Sequence, residues 1–214
     1  MSIRDNLYKI QSELPEDVKL IVVSKNKSVQ IIKEAYDAGQ RLFAENYVQE
    51  FLGKYNSPEL KELDIEWHFI GNLQRNKVKY IIDKISLIQS VSSVRLAEEI
   101  NKRAFDISKV QDVLVEINIG EEKNKGGAQL EEFYKVIDKI RSSSNLKLKG
   151  LMVIPPLTED VVLTRRYFEK VRKIFDEIGN LQILSMGMSS DWKEAIKEGS
   201  NMIRLGTAIL GERA

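Results

Sequence analysis

Apolar residues follow two alternating patterns along these 214 residues. Short, nearly continuous runs rich in Val, Ile, Leu and Phe recur, each followed by a stretch whose apolar positions return every three or four residues among charges. The first pattern reads as a strand buried on both faces and the second as an amphipathic helix. The runs are KLIVVS from Lys19, RLFAEN from Arg41, EWHFIG from Glu66, ISLIQSV from Ile85, DVLVEIN from Asp112, LKLKGLMVI from Leu146, LQILSMGM from Leu181 and MIRLGTAIL from Met202. The clearest helix is GAQLEEFYKVIDKIRSS, with Leu130, Phe133, Val136, Ile137 and Ile140 on one face; an N-terminal helix is expected over about residues 2–13.

Eight strand–helix alternations predict parallel strands, which most simply close into a single (β/α)8 barrel of the α/β class. A doubly wound open sheet is the competing architecture. No linker or shift in composition divides the chain, so residues 1–214 are expected to form one domain, with IPPLTEDV as a rigid loop entering a helix.

The carboxyl ends of barrel strands, with the loops that follow, form the active face. The sequence delivers Lys25 there after the first run, Glu45 and Asn46 after the second, Gly71 and Asn72 after the third, and Asn118 after the fifth. Met188 and Ser189 follow the seventh run, and Gly206 and Thr207 lie along the eighth. In SMGMSSDWKEAI, Ser189 or Ser190 is placed to cap a helix whose first N–H groups favour anions. Barrels often build a phosphate site from these last two loops. A lysine together with a phosphate cradle is what pyridoxal phosphate needs, since its aldehyde takes an amine as a Schiff base while the phosphate is held elsewhere. Phosphate-binding sugar enzymes present the same pair, and spacing does not separate the two.

Composition removes other classes. With 33 Lys and Arg against 32 Asp and Glu, nothing calls for a nucleic-acid partner, and RNKVKY at Arg75 to Tyr80 reads as a solvated helix face. The absence of cysteine excludes disulfides and thiolate chemistry, and the single histidine, His68, excludes a His-rich metal site. No run reaches membrane-spanning length and the start lacks a signal-type apolar core, so a soluble, cytoplasmic protein without a membrane partner is expected.

Six segments, VVSKNK, AENYVQE, WHFIGNLQRNK, the Lys123 to Gly127 loop KNKGG, GLMVIPP and LSMGMSSDWKEAIKEGSNMIRLGTAILG, resemble the pyridoxal phosphate homeostasis protein family. These proteins are also called YggS-type or proline synthetase co-transcribed proteins, and the likeness spans nearly the whole chain. It implies a barrel like the N-terminal domain of alanine racemase, with pyridoxal 5′-phosphate held as a Schiff base on Lys25. It also implies Arg204 against the pyridine nitrogen. Arginine only donates hydrogen bonds and keeps its proton, so that nitrogen would stay an unprotonated acceptor and the ring a weak electron sink. Asn46 then reads as a cofactor contact or a turn residue, and Met188 as a ring contact or core filler; Ser189, Gly206 and Thr207 serve the phosphate. Three positions depart from the family pattern: Ala44 stands where Gly is expected, Asn72 where Pro is, and Arg75 where Ser is. The first two are expected to affect a turn at the site rim and the third to add a charge near it, while none touches the amine, the phosphate loop or Arg204.

The chain ends four residues after its eighth run, so the second, β-rich domain that completes the alanine racemase site is not expected. The expected function is a carrier that takes part in intracellular vitamin B6 homeostasis, with little or no turnover and no catalytic residue beyond Lys25. A pyridoxal phosphate-dependent amino-acid racemase is the alternative. A monomer is expected, with cofactor-requiring apo-enzymes as candidate partners. His68, between Trp67 and Phe69, reads as a packed strand residue rather than an acid–base group.

Overall fold

The computed structural model describes residues 2–120 and 126–211. Eight strands form where the apolar runs lie: β1 (Lys19–Val23), β2 (Leu42–Glu45), β3 (Glu66–Phe69), β4 (Leu87–Val91), β5 (Gln111–Ile117), β6 (Leu146–Val153), β7 (Ile183–Ser185) and β8 (Met202–Leu205). Each pairs in parallel with the next, and β8 returns to β1 with Leu20 opposite Ile203, closing the barrel. The helices are α1 (Ile3–Ser12), α2 (Val29–Asp37), α3 (Val48–Tyr55), α4 (Val94–Asp106), α5 (Leu130–Arg141), α6 (Val161–Ile178), α7 (Trp192–Lys197) and α8 (Thr207–Leu210). The open-sheet alternative is thereby excluded.

Local chemistry explains the boundaries. Ser2 and Asp5 exchange hydrogen bonds in a capping box that starts α1, and Asp160 accepts from Val162 and Leu163 N–H to start α6 out of the Pro-rich loop. Four sequence expectations are corrected. RNKVKY forms a 3-10 turn rather than an α-helix. Leu130 is exposed, because the helix begins there and its buried face starts at Phe133. β7 stops at Ser185: the chain bends at Gly187, whose φ of +99° favours glycine and where a Cβ would stand 2.8 Å from that of Ala195. Gly206 and Thr207 lie beyond β8, at the start of α8, rather than along the strand.

Strand alternation creates two apolar layers. Phe43, Trp67, Phe69, Ile88, Leu151 and Ile203 point outward and pack under the helices with Phe51, Phe133 and Phe168. Ile21, Val23, Ala44, Ile70, Leu87, Leu114, Met152 and Met202 point inward and fill the barrel, which is a packed core and not a pore. No helix among the described residues is long and apolar enough to cross a membrane.

Candidate functional site

At the carboxyl ends of the strands lies a cavity of about 500 Å³. It is lined by Val23, Lys25, Lys27, Asn46, Ile70, Ile154, Leu157, Met188, Ser189, Ser190, Arg204, Gly206 and Thr207. All seven residues that the sequence nominated for a cofactor, Lys25, Asn46, Met188, Ser189, Arg204, Gly206 and Thr207, are therefore brought together. Barrel closure does this, since β8 lies directly beside β1. Glu45, Gly71 and Asn118 do not line the cavity. Lys123 to Lys125 of the KNKGG segment lie outside the described residues.

The strand pleat sets which side chains reach the mouth. Val23 faces the barrel interior and Ser24 the helix layer, so Lys25 comes next on the inward side. Asn26 follows in the left-handed region at φ +58°, a conformation asparagine tolerates better than most residues. Asn46 follows β2, and its Oδ1 is buried without a hydrogen-bond partner among the described residues. A buried amide oxygen in that state is costly, and a ligand donor in the cavity would relieve it.

On the opposite wall, the expected helix cap is not formed by either serine. Asp191 precedes α7 and accepts from Met188 N–H at 2.6 Å, while Ser189 Oγ accepts from Ala208 N–H at 3.4 Å. Ser189 thus ties the loop after β7 to the first turn of α8, with Gly206 at its cap position. A Cβ on Gly206 would stand 3.3 Å from the Val23 carbonyl oxygen, tight enough to crowd the β1 side of the mouth.

Arg204 is the fully buried charge of the site. Its Nη1 donates to Ser185 Oγ at 2.6 Å and its Nη2 to the Val153 carbonyl at 2.8 Å. Ser185 Oγ donates on to Gln89 Oε1 at 2.8 Å, and Gln89 Nε2 donates to His68 Nδ1 at 3.0 Å. The proton of the neutral imidazole then resides on Nε2, 3.1 Å from Glu66 Oε1, and this bond holds the Glu66 carboxyl below its usual range. Every donor in the chain points from Arg204 toward Glu66, so the bonds polarise one another in one sense. His68 is a relay within the barrel and not part of the cavity wall. Gln89 and Ser185 were missed by sequence reasoning. Their signal was a polar residue in the middle of a buried run, in LIQSV and ILS.

Burial lowers the Arg204 guanidinium to about 10, so it remains a cation at neutral pH. Glu116, inward-facing on β5, is driven by burial from 4.5 up to about 7, with Arg204 opposing the shift. A carboxyl raised on folding gives its stability in full below the unfolded value and loses it as pH rises through the folded one. Between about pH 4.5 and 7 this group alone removes at most about 3 kcal/mol. Glu116→Gln is expected to lose correspondingly less between pH 5 and 8, read by denaturant unfolding at both values. Equal losses in both proteins would place the titration elsewhere.

The whole chain, residues 1–214, matches the family model for the alanine racemase N-terminal domain. It is 46% identical over 200 residues to the pyridoxal phosphate homeostasis protein of Aquifex aeolicus, covering 91% of this chain and 87% of that one. It is 38% identical to the protein of that name from Pasteurella multocida, covering 100% and 98%. Among solved structures, PipY of Synechococcus elongatus with pyridoxal phosphate bound superposes with a TM-score of 0.91 at 35% identity, covering 98% of this chain and 100% of PipY. Alanine racemase of Clostridium difficile gives 0.80 at 19% identity over 97% of this chain and 56% of the racemase, a likeness of fold alone.

Proposed function

This chain belongs to the pyridoxal phosphate homeostasis protein family, and we propose that it holds pyridoxal 5′-phosphate in the cavity at the barrel mouth, attached through Lys25. The observation that carries this reading is the convergence of an amine, a buried guanidinium, an orphaned amide oxygen and the first turn of α8 on one cavity of about 500 Å³. When bound, the cofactor would supply an aldehyde able to condense with an amine, and Lys25 would be the residue that presents one.

The chain's own residues divide the work. Ser189, Gly206 and Thr207 would hold the phosphate, Arg204 would donate to the ring nitrogen, Asn46 would contact the ligand and Met188 would pack against the ring. The bonds from Arg204 to Ser185 and Val153 fix the guanidinium before any ligand arrives, so little ordering is left for binding. Among the described lining residues there is no histidine, tyrosine or carboxylate to serve as a second acid–base group, and His68 is committed to Gln89 and Glu66. That supports a carrier with little turnover over a racemase. In this reading residues 1–214 act as one cytoplasmic, monomeric cofactor-holding domain that supplies apo-enzymes.

Incubation with pyridoxal 5′-phosphate, borohydride reduction and mass mapping is expected to place one adduct on Lys25. Absence of any adduct would leave the cavity to some other phosphate ligand. Scrambling of amino-acid stereochemistry that disappears in Lys25→Ala would make the protein an enzyme.

A further inference from the structure

Both chain neighbours of Lys25 are gripped from outside the barrel by a buried ionic cluster. Ser24, fully buried, donates its Oγ to Glu45 Oε1 at 2.6 Å, and its carbonyl accepts from Lys54 Nζ at 2.7 Å. On the other side, the Asn26 N–H donates to Glu50 Oε1 at 2.5 Å. Lys54 joins the two grips, donating to Glu45 Oε1 and to Glu50 Oε1, each at 2.6 Å. Glu45 ends β2, while Glu50 and Lys54 are one turn apart on α3, so the cluster ties the loop after β1 to the next strand and helix.

Stability is a weak reason for this arrangement. Taking ions out of water can cost as much as their attraction returns, and apolar residues of similar size often serve a fold as well or better. Burial pushes the Glu45 carboxyl up despite its contact with Lys54, and its second oxygen has no partner among the described residues. The three ammonium protons of Lys54 match its three acceptors, and one of these is the carbonyl directly before Lys25. What the cluster fixes is the path of three residues, Ser24 to Asn26, including the left-handed turn at Asn26 that aims Lys25 at the cavity.

We infer that Glu45, Glu50 and Lys54 are positioning residues for the Lys25 amine, acting through the Ser24 carbonyl and the Asn26 N–H and touching no ligand themselves. This rests on the reading of Lys25 as the attachment point. A lysine stem left to sample its rotamers meets an aldehyde in a reactive geometry only part of the time, and holding the backbone on both sides narrows that search.

The test uses the whole chain and Glu50, which is partly exposed on the first turn of α3, so its removal leaves Lys54 paired with buried Glu45. Glu50→Ala removes the acceptor for Asn26 N–H; Glu50→Gln keeps one. Two rates are measured by mass mapping at Lys25: borohydride trapping with pyridoxal 5′-phosphate, and reductive methylation by formaldehyde and cyanoborohydride with no cofactor present. Glu50→Ala is expected to slow both at Lys25 by roughly tenfold. Methylation of other lysines and the affinity for inorganic phosphate should hold, and Glu50→Gln should restore both rates. Rates in Glu50→Ala equal to those of the unaltered chain overturn the inference, as does a Gln variant as slow as the Ala one. If the unaltered chain traps no cofactor while Glu50→Ala still slows formaldehyde labelling, the cofactor reading fails and the positioning role stands.

Discussion

Lys25→Ala abolishes the borohydride-stable adduct while the protein still folds and still binds phosphate; this is the largest functional effect expected of any single substitution. The lysine is only partly buried and lies past the end of β1, so truncating it removes little apolar packing, and unfolding free energy should stay within about 0.5 kcal/mol of the unaltered chain. The proposed phosphate cradle is the loop after β7 and the first turn of α8, which are held by the Asp191–Met188 and Ser189–Ala208 bonds. Absorbance in the presence of pyridoxal 5′-phosphate, mass after reduction and competition by inorganic phosphate read the three parts separately. Lys27 provides the sharpest check, because it lines the same cavity. An adduct that moves to Lys27 with undiminished rate would mean that the cavity selects the aldehyde without selecting the amine.

Gly71→Ala is expected to give the largest combined loss of stability and binding. The residue lies just past β3, and a Cβ built on it would fall inside the van der Waals envelope of the Asn46 carbonyl, carbonyl carbon and Cα. These are backbone atoms, which cannot swing aside as a side chain can. The rim between β2 and β3 would have to part, at a cost of about 3 kcal/mol or more, and Asn46 would leave the cavity wall. Cofactor affinity should fall by at least roughly tenfold. Gly53, inside α3 with nothing within 4 Å of its Cβ position, is the control. There alanine should stabilise by about 0.5–1 kcal/mol through helix propensity. Chemical unfolding with a binding titration on each variant checks both. A Gly71→Ala protein that binds and unfolds like the parent would show that the rim is looser than its backbone contact implies.

The departures at Ala44 and Asn72 can be placed against the same rim. Ala44 faces the barrel interior beside Ile21 and Val23, so its methyl fills core space rather than altering a turn. Asn72 and Arg75 line a separate open cavity with Arg95 and Glu99, away from Lys25 and Arg204. The charge at Arg75 therefore does not reach the proposed site wall.

The eight runs, the amine at the end of the first and the glycine and hydroxyls of the last two loops were all legible in the chain, because strand and helix periodicities are local and loops at strand ends inherit their position from them. Strand limits were less legible. The bend at Gly187 and the turn of α8 shorten β7 and β8 for reasons that lie in the packing of Ala195 and the pairing with β1. Two polar systems were not visible at all. Arg204, Ser185, Gln89, His68 and Glu66 come from four strands, and nothing in LIQSV or EWHF says which polar residue faces which. The second, Glu45 with Lys54 and Glu50, joins the end of β2 to α3, and no local pattern pairs them.

The sequence by itself determined the alternation, hence a barrel with its polar loops at one end, and it placed Lys25 at that end. Only the tertiary structure decided that Lys54 reaches the carbonyl before Lys25, that Asn46 Oδ1 is left without a partner, and that His68 serves the interior. A local pattern records whether a side chain is buried; which groups then share that burial depends on strand register and on closure of β8 against β1, where a shift of one residue would turn every inward group outward.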